Sequence, residues 1–369
     1  MKFNLAALDV ARQRNRLTWN ALAEKLEVSP RELRRLREDQ TAECSLVEKM
    51  SVATGFPRSF FELEQDFDLS PPTFRKHATL SAKDRAAGEA AGKIAKLFWS
   101  RVEQEYSLPV ANLPDYSSGE FYFPQGTDRA TAAAQMLREE WGLGTAPVGN
   151  MIRLLERKGI RVLSLAEKDV RGLSGFTTWN GETPMIFLNM VASTERSRFD
   201  AAHELAHVVL HRNHDTDEQV IEEEADRFAS AFLIPKTDLL RHRCYPTLAN
   251  LRKNKRRWKV SVAALVRAYR DNGLIDENRY KYLNIELSRK GWRSEEPDQS
   301  AREPSGLWEA IKKDLWSNSQ TVEDLANRAN IPSKDALTFT SFACNHDIIQ
   351  PHKQSSSSAK GAGFLRVVE

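Results

Sequence analysis

No run of about 18 apolar residues occurs in the 369-residue sequence, so no segment is predicted to cross a membrane as a helix. The opening MKFNLAALDVARQRNR places Asp9 and Arg12 where a secretory signal would need its apolar core, which argues against export. Cysteine is scarce. The three present, Cys44, Cys244 and Cys344, lie about a hundred residues or more apart, which excludes a disulfide framework and a CxxC metal clamp. That usage fits a reducing cytoplasm. Net charge is also small at +3 and indicates little about partners, because the basic residues are clustered. What is present, 41% hydrophobic and 28% charged residues, is the composition of a soluble globular protein, and the length predicts two or three units.

Residues 4–62 carry helical apolar periodicity broken by turns. LTWNALAEKLEVS (17–29) sets Leu17, Ala21, Leu22 and Leu26 on one face, with Thr18 as N-cap. Ser29 caps the next helix, with Pro30 in its first turn, Leu33 and Leu36 inward, and Arg31, Arg34, Arg35 and Arg37 outward. Two short helices with a basic outer face on the second form a helix-turn-helix arrangement, in which the arginines can meet phosphates or guanine edges. The alternative is a helical docking or dimerisation module. Together with LVEKMSVATGFPRSFFE (46–62), the stretch resembles the Xre/Cro-like helix-turn-helix family. It departs from it at Trp19, where that family often has Gln, and at Leu36-Arg37-Glu38-Asp39.

SPPTF (70–74) reads as a linker, followed by a long Ala-rich helix over about 81–106. Amphipathic helices are predicted at 128–143 and 147–159. Three strand-like runs come next, IRVLSLA (160–166), SGFTTW (174–179) and TPMIFLN (183–189), the last two joined by the turn NGE. RHRCYPTLANLRKNKRRWK (241–259) holds eight Lys/Arg and no acid. The part from 306 to 348 is helical again, with SQTVEDLANRANIPSKDALTF weakly similar to a second helix-turn-helix, and SSSSAKGAGFLRVVE reads as a mobile tail. The fold class is therefore multidomain, mainly α with a small β-sheet. The units are a helix-turn-helix bundle (1–65), a linker and long helix (66–115), an α+β zincin-like domain of gluzincin type (116–240), a basic helical extension (241–300), a C-terminal helical part (301–350) and a tail (351–369).

The chemistry concentrates in FDAAHELAHVVLH (199–211). Residues i and i+4 share a helix face, so His203 and His207 can present two ring nitrogens to one ion. Glu204, on the adjoining edge, can take a proton from metal-bound water. The competing reading is an amphipathic helix that carries two partly buried histidines. A catalytic zinc needs a third protein ligand. DEQVIEEEADRFASAFLIP (217–235) supplies candidates on a second helix, with Ile221, Ala225, Phe228, Phe232 and Leu233 inward. Glu222 shares a face with Ala225, Asp226 and Ala229 and is preferred to Glu224 as the ligand. Glu223 and Glu224 point elsewhere and read as solvated charges. Asp226 can accept the other N–H of a ligating histidine and fix its tautomer. Leu210 stands where a metzincin would have Gly. His211 and His214 read better as a helix-end charge and a loop residue than as ligands.

The blocks WGLGTAPVGNMIRLLERKGIRVLSL, LSGFTTWNGETPMIFLN, RSRFDAAHELAHVVLH and EEEADRFASAFLIP, in that order, resemble the ImmA/IrrE family of metallopeptidases. The similarity extends to its long members with an N-terminal Xre-type domain and, at 248–292, to their C-terminal extension. Ala206 replaces the family's usual Gly. The resemblance implies His203 and His207 as zinc ligands, Glu204 as general base and Glu222 as third ligand. It also implies limited cleavage of a partner transcriptional repressor in a stress, mobile-element or phage-related switch. TPMIFLN is expected to act as an edge strand for an extended substrate. Arg198, His242 and Tyr245 are candidate stabilisers of the transition state. Mn²⁺ can replace Zn²⁺ in such a donor set. A different class of function also fits: a DNA-binding regulator whose peptidase-like domain senses a ligand or docks a partner. In a third, the basic segment 248–259 binds nucleic acid and gates proteolysis.

Overall fold

Each of the first three helices begins where a side chain can take up one of its free amides. In a computed structural model that describes residues 2–63, 81–117, 128–165, 174–212 and 217–342, with the backbone of 73–74 and 366–367, α1 (Leu5–Arg14) starts after Asn4, which accepts from the amide of Ala7. Thr18 caps α2 (Trp19–Leu26) through Ala21, and Ser29 caps α3 (Pro30–Asp39) in a reciprocal box with Glu32. Glu27, at φ 56°, makes the turn between α2 and α3, and α4 (Cys44–Thr54) closes the bundle through Val47 and Met50. Arg31, Arg34 and Arg35 are exposed on α3. Arg37 is not: its guanidinium lies 4.0 Å from the ring centroid of Trp19, with Arg12 at 4.7 Å from the same ring.

After the two-residue strand β1 (Thr73–Phe74) comes the expected long Ala-rich helix, α5 (Ala82–Glu105). Gly88, Ala90, Ala91, Gly92, Ile94, Ala95, Phe98 and Trp99 are all buried. Small residues let α1 approach one side of this helix, and two C-terminal helices approach it elsewhere. It is an interior element. Ser70, Pro71 and Pro72 of SPPTF, along with Ala166, His214, Cys344 and the tail apart from 366–367, lie outside the described residues.

β2 (Tyr106–Ser107), α6 (Arg129–Glu140) and α7 (Met151–Arg157) lead into the sheet: β3 (Arg161–Leu165), β4 (Gly175–Asn180) and β5 (Thr183–Asn189). Its order is β1-β4-β5-β3, with β3 parallel to β5 and the other pairs antiparallel. The β4–β5 hairpin turns at Gly181, whose φ of 58° suits glycine. β5 is therefore central and corrects the edge-strand expectation, because β3 pairs with it from Met185 to Asn189. Its run of apolar residues fits a strand covered on both faces. Burial from Pro184 to Asn189 agrees.

α8 (Thr194–Leu210) packs on β4 and β5, and α9 (Glu218–Leu233) packs on α8 and α6. Ala201, Ala202 and Ala206 on α8 and Ala225 and Ala229 on α9 are fully buried. Such small side chains allow two helices to approach closely. The chain continues through α10 (Lys236–Arg241), α11 (Leu248–Asn254), α12 (Val262–Asp271), α13 (Glu277–Arg289), α14 (Gly306–Ser317), α15 (Val322–Arg328) and α16 (Ser333–Phe339), and β6 (Arg366–Val367) pairs with β2. The stretch weakly similar to a second helix-turn-helix packs into the rest of the chain. Its second helix, α16, buries Asp335, Ala336 and Phe339 while packing on α5 and β3, and Asp335 accepts from Arg14 at 2.7 Å.

Four of the eight cations of the basic run pair with carboxylates of the chain. Lys255 is buried between Glu195 (3.0 Å) and Glu296 (2.6 Å), Arg257 pairs with Asp238 (2.7 Å), and Arg252 (2.6 Å) and Arg256 (3.2 Å) share Asp298. Among the described residues, one hydrophobic core cluster takes members from Phe3 to Phe342. No helix among the described residues is long and apolar enough to cross a membrane.

Candidate metal centre

Ser193 caps α8 and Asp217 caps α9, which fixes where the two helices start. The register that follows brings His203 and His207, one turn apart, against Glu222. The two Nε2 atoms are 3.1 Å apart; Glu222 Oε2 lies 3.4 Å from His203 Nε2, and Oε1 lies 3.3 Å from His207 Nε2. One donor atom from each residue falls within 4.8 Å of the others. Both histidines are buried and Glu222 is partly so.

Burial pushes the His207 imidazole down to about 3, so the ring is neutral at pH 7. Burial acts to raise Glu222, but hydrogen bonds from His203 and His207 outweigh it and hold the carboxyl at about 2. A neutral imidazole and an ionised carboxylate are the protonation states in which these groups bind a divalent cation.

Glu204 points to the sheet. Thr177 Oγ1 on β4 donates to its Oε2 at 2.8 Å, while Oε1 is buried with no hydrogen-bond partner. Burial pushes its carboxyl up to about 7, against the pull of His203 and Thr177. Gly175 leaves the space for it: a Cβ there would lie 2.7 Å from the Phe187 carbonyl and 3.3 Å from Glu204 Oε1. The orphaned oxygen, the ionised Glu222 and the paired imidazoles together fit a bound divalent ion with a reacting oxygen beside it.

Behind the donors stand two polar arms. His203 Nδ1 meets Asp226 Oδ1 at 3.0 Å, and Asp226 Oδ2 accepts from Arg267 at 2.9 Å. On the other side His207 Nδ1 lies 3.2 Å from His211 Nδ1, and His211 Nε2 lies 3.0 Å from Glu224 Oε2. Arg129 donates to the same Glu224 oxygen at 3.0 Å and to the carbonyls of Tyr116 and Leu210. Glu224 is thus a paired, half-buried carboxylate, not a solvated charge. Its carboxyl is lowered by the His211 hydrogen bond first, against burial.

The sequence-expected stabilisers do not join this cluster. Arg198 is buried and committed to Glu303 and the carbonyls of Val148 (2.7 Å) and Gly149 (3.1 Å). His242 is tied to Asp238, and the Tyr245 side chain is exposed. Thr177, Gly175, Arg129 and Arg267 carry no sequence signal that marks them as parts of the site. His211 and Glu224 do, as ligand candidates beside the motif, but their place is one step behind the donors.

Two histidines and a glutamate from two packed helices, with an adjacent carboxylate set toward a sheet, define a metallopeptidase-like centre. Residues 155–269, which span all of these donors, match the model of a peptidase family described as the IrrE N-terminal-like domain. No curated protein matches the chain.

Proposed function

We propose that the chain is a zinc-dependent endopeptidase that makes limited cuts in a partner protein, a repressor-type transcriptional regulator. The observation that carries this reading is the convergence of His203, His207 and Glu222 around one point, with Glu204 alongside. His203, His207 and Glu222 would hold the cation, Zn²⁺ or in its place Mn²⁺. When bound, it supplies Lewis-acid polarisation of a carbonyl and lowers the pKa of water. Glu204 accepts the proton of the attacking water and returns it to the leaving amine, a task suited to a carboxyl tuned near 7. Thr177 keeps that carboxylate aimed while Oε1 is free to take the proton.

An extended substrate adds to the outer edge of β4, the strand that bears Thr177. The chain's own Thr73 and Phe74 pair along that edge. Incubating the protein with a repressor-type regulator encoded beside it, with metal content measured by mass spectrometry, tests the reading. One equivalent of zinc and a discrete cut that is lost in Glu204→Gln are expected. Cleavage unchanged in that variant would overturn it.

A DNA-binding role for α2–α3 is a second reading, favoured by three exposed arginines, Arg31, Arg34 and Arg35, on one short capped helix. If they contact phosphates, replacing all three with Ala flattens the salt dependence of duplex binding by about three units of log–log slope. An unchanged slope removes this reading. The segment 248–259 is a poorer candidate for the same role, because four of its six cations, Arg252, Lys255, Arg256 and Arg257, already have carboxylate partners.

A further inference from the structure

We propose that His211 and Glu224 act as a positioning relay for His207, so that the second metal ligand is oriented through another histidine. The inference rests on the metal-site reading above. Both His207 and His203 turn Nε2 toward Glu222, which leaves each Nδ1 facing away and in need of a buried partner. His203 finds its partner directly in Asp226. His207 finds a second imidazole, His211 Nδ1, at 3.2 Å.

Two facing nitrogens can share one proton only if one ring donates and the other accepts. A ligand nitrogen needs its lone pair free, so Nδ1 of His207 must carry the hydrogen and His211 Nδ1 must accept it. His211 then has its own hydrogen on Nε2, where Glu224 Oε2 waits at 3.0 Å. Arg129 anchors that oxygen from α6 and also ties down the carbonyls of Tyr116 and Leu210. Every donor in the line meets one acceptor: His207 to His211, His211 to Glu224, Arg129 to Glu224. Only one tautomer of each ring satisfies the line, and it is the one that exposes His207 Nε2 to the centre.

The two arms are equivalent in outcome and different in construction. Each ends in a carboxylate held by an arginine, Asp226 by Arg267 and Glu224 by Arg129. His211 extends the second arm by one ring. It closes α8 as the helix C-cap, with its amide donating to the His207 carbonyl, so its place relative to His207 is set by the backbone as well.

Full-length protein stripped of metal and titrated with Co²⁺ against a chelating dye tests the relay. His211→Ala should lower Co²⁺ affinity roughly 10- to 100-fold, the usual effect of losing an outer-shell partner, and alter the visible d–d bands. His211→Asn puts an amide oxygen at the place of Nδ1, keeps the acceptor for His207, and should restore much of the affinity. Glu224→Gln should fall between the two. These two milder variants decide the matter if His211→Ala does not fold. Wild-type affinity and spectrum in a folded His211→Ala would overturn the relay and leave the metal site standing, as would affinity in His211→Asn as low as in His211→Ala. Failure of the unmodified protein to bind Co²⁺ would overturn the metal site and the relay with it.

Discussion

Thr177 on β4 donates to Glu204 on α8 at 2.8 Å, and both groups are buried. The sheet thereby holds the carboxyl that the helix carries. Thr177→Val keeps the shape and removes the donor, so Glu204 keeps its place in the chain but loses its aim. We expect kcat to fall roughly ten-fold with KM little changed. A steady-state assay on a cleaved peptide reads both, and a loss confined to KM would contradict this role.

Gly175 is expected to be intolerant of any side chain. A Cβ at 2.7 Å from the Phe187 carbonyl forces β4 away from β5, at a cost of about 1–3 kcal/mol. Urea denaturation of Gly175→Ala should show the lower midpoint, with activity falling further because Glu204 lies 3.3 Å from the same position. An unshifted midpoint would show that the hairpin gives way freely.

Asp238 links acid stability to the basic extension. Its hydrogen bonds with Arg257 foremost, together with Trp258, hold the carboxyl below the ordinary 3.8. The unfolded chain therefore takes up this proton first as pH falls. The contribution is full above the ordinary value and is lost as pH drops through the folded one. Between pH 5 and pH 3, assay conditions chosen around an ordinary Asp pKa of about 4, Asp238→Asn should lose less stability than the parent. Parallel pH–stability curves from thermal melts would refute the linkage.

The pairing of Phe74 with Phe176 gives a test of the β4 edge. Phe74→Pro removes an amide and disfavours the strand. If the edge receives substrate, the variant should show a KM for an extended peptide lowered by roughly several-fold, because a tethered competitor acts at high effective concentration. An unchanged KM would place substrate elsewhere.

Much of this architecture was legible in the sequence, and the reasons differ by element. Thr18 and Ser29 mark their helix starts because capping is a local interaction. The three strand runs and the turn at Gly181 stand out by apolar patterning. Ile221, Phe228 and Phe232 reveal the buried face of α9 by period alone. Spatial strand order was not legible: β3 crosses to the far side of β5, and β1 arrives from about a hundred residues upstream. The partners of the basic run were hidden for the same reason, since Glu296 and Asp298 lie some forty residues away in sequence. Arg198 had the charge for catalysis, but Glu303, from a distant segment, uses it for packing.

The Ala- and Gly-lined α5 has a consequence for how the molecule comes apart. With α1 on one side of it and α15 and α16 on others, it belongs equally to the beginning and the end of the chain. Cutting after residue 65, where composition suggests a boundary, would strip that helix of a partner and lay bare alanine and glycine surface with no apolar bulk of its own to cover it. Arg14 and Arg16 would leave Asp335 and Asp84 behind without their counter-charges. Halves of such a molecule are expected to melt together in one transition, and a fragment cut there is expected to fold less well than the whole chain.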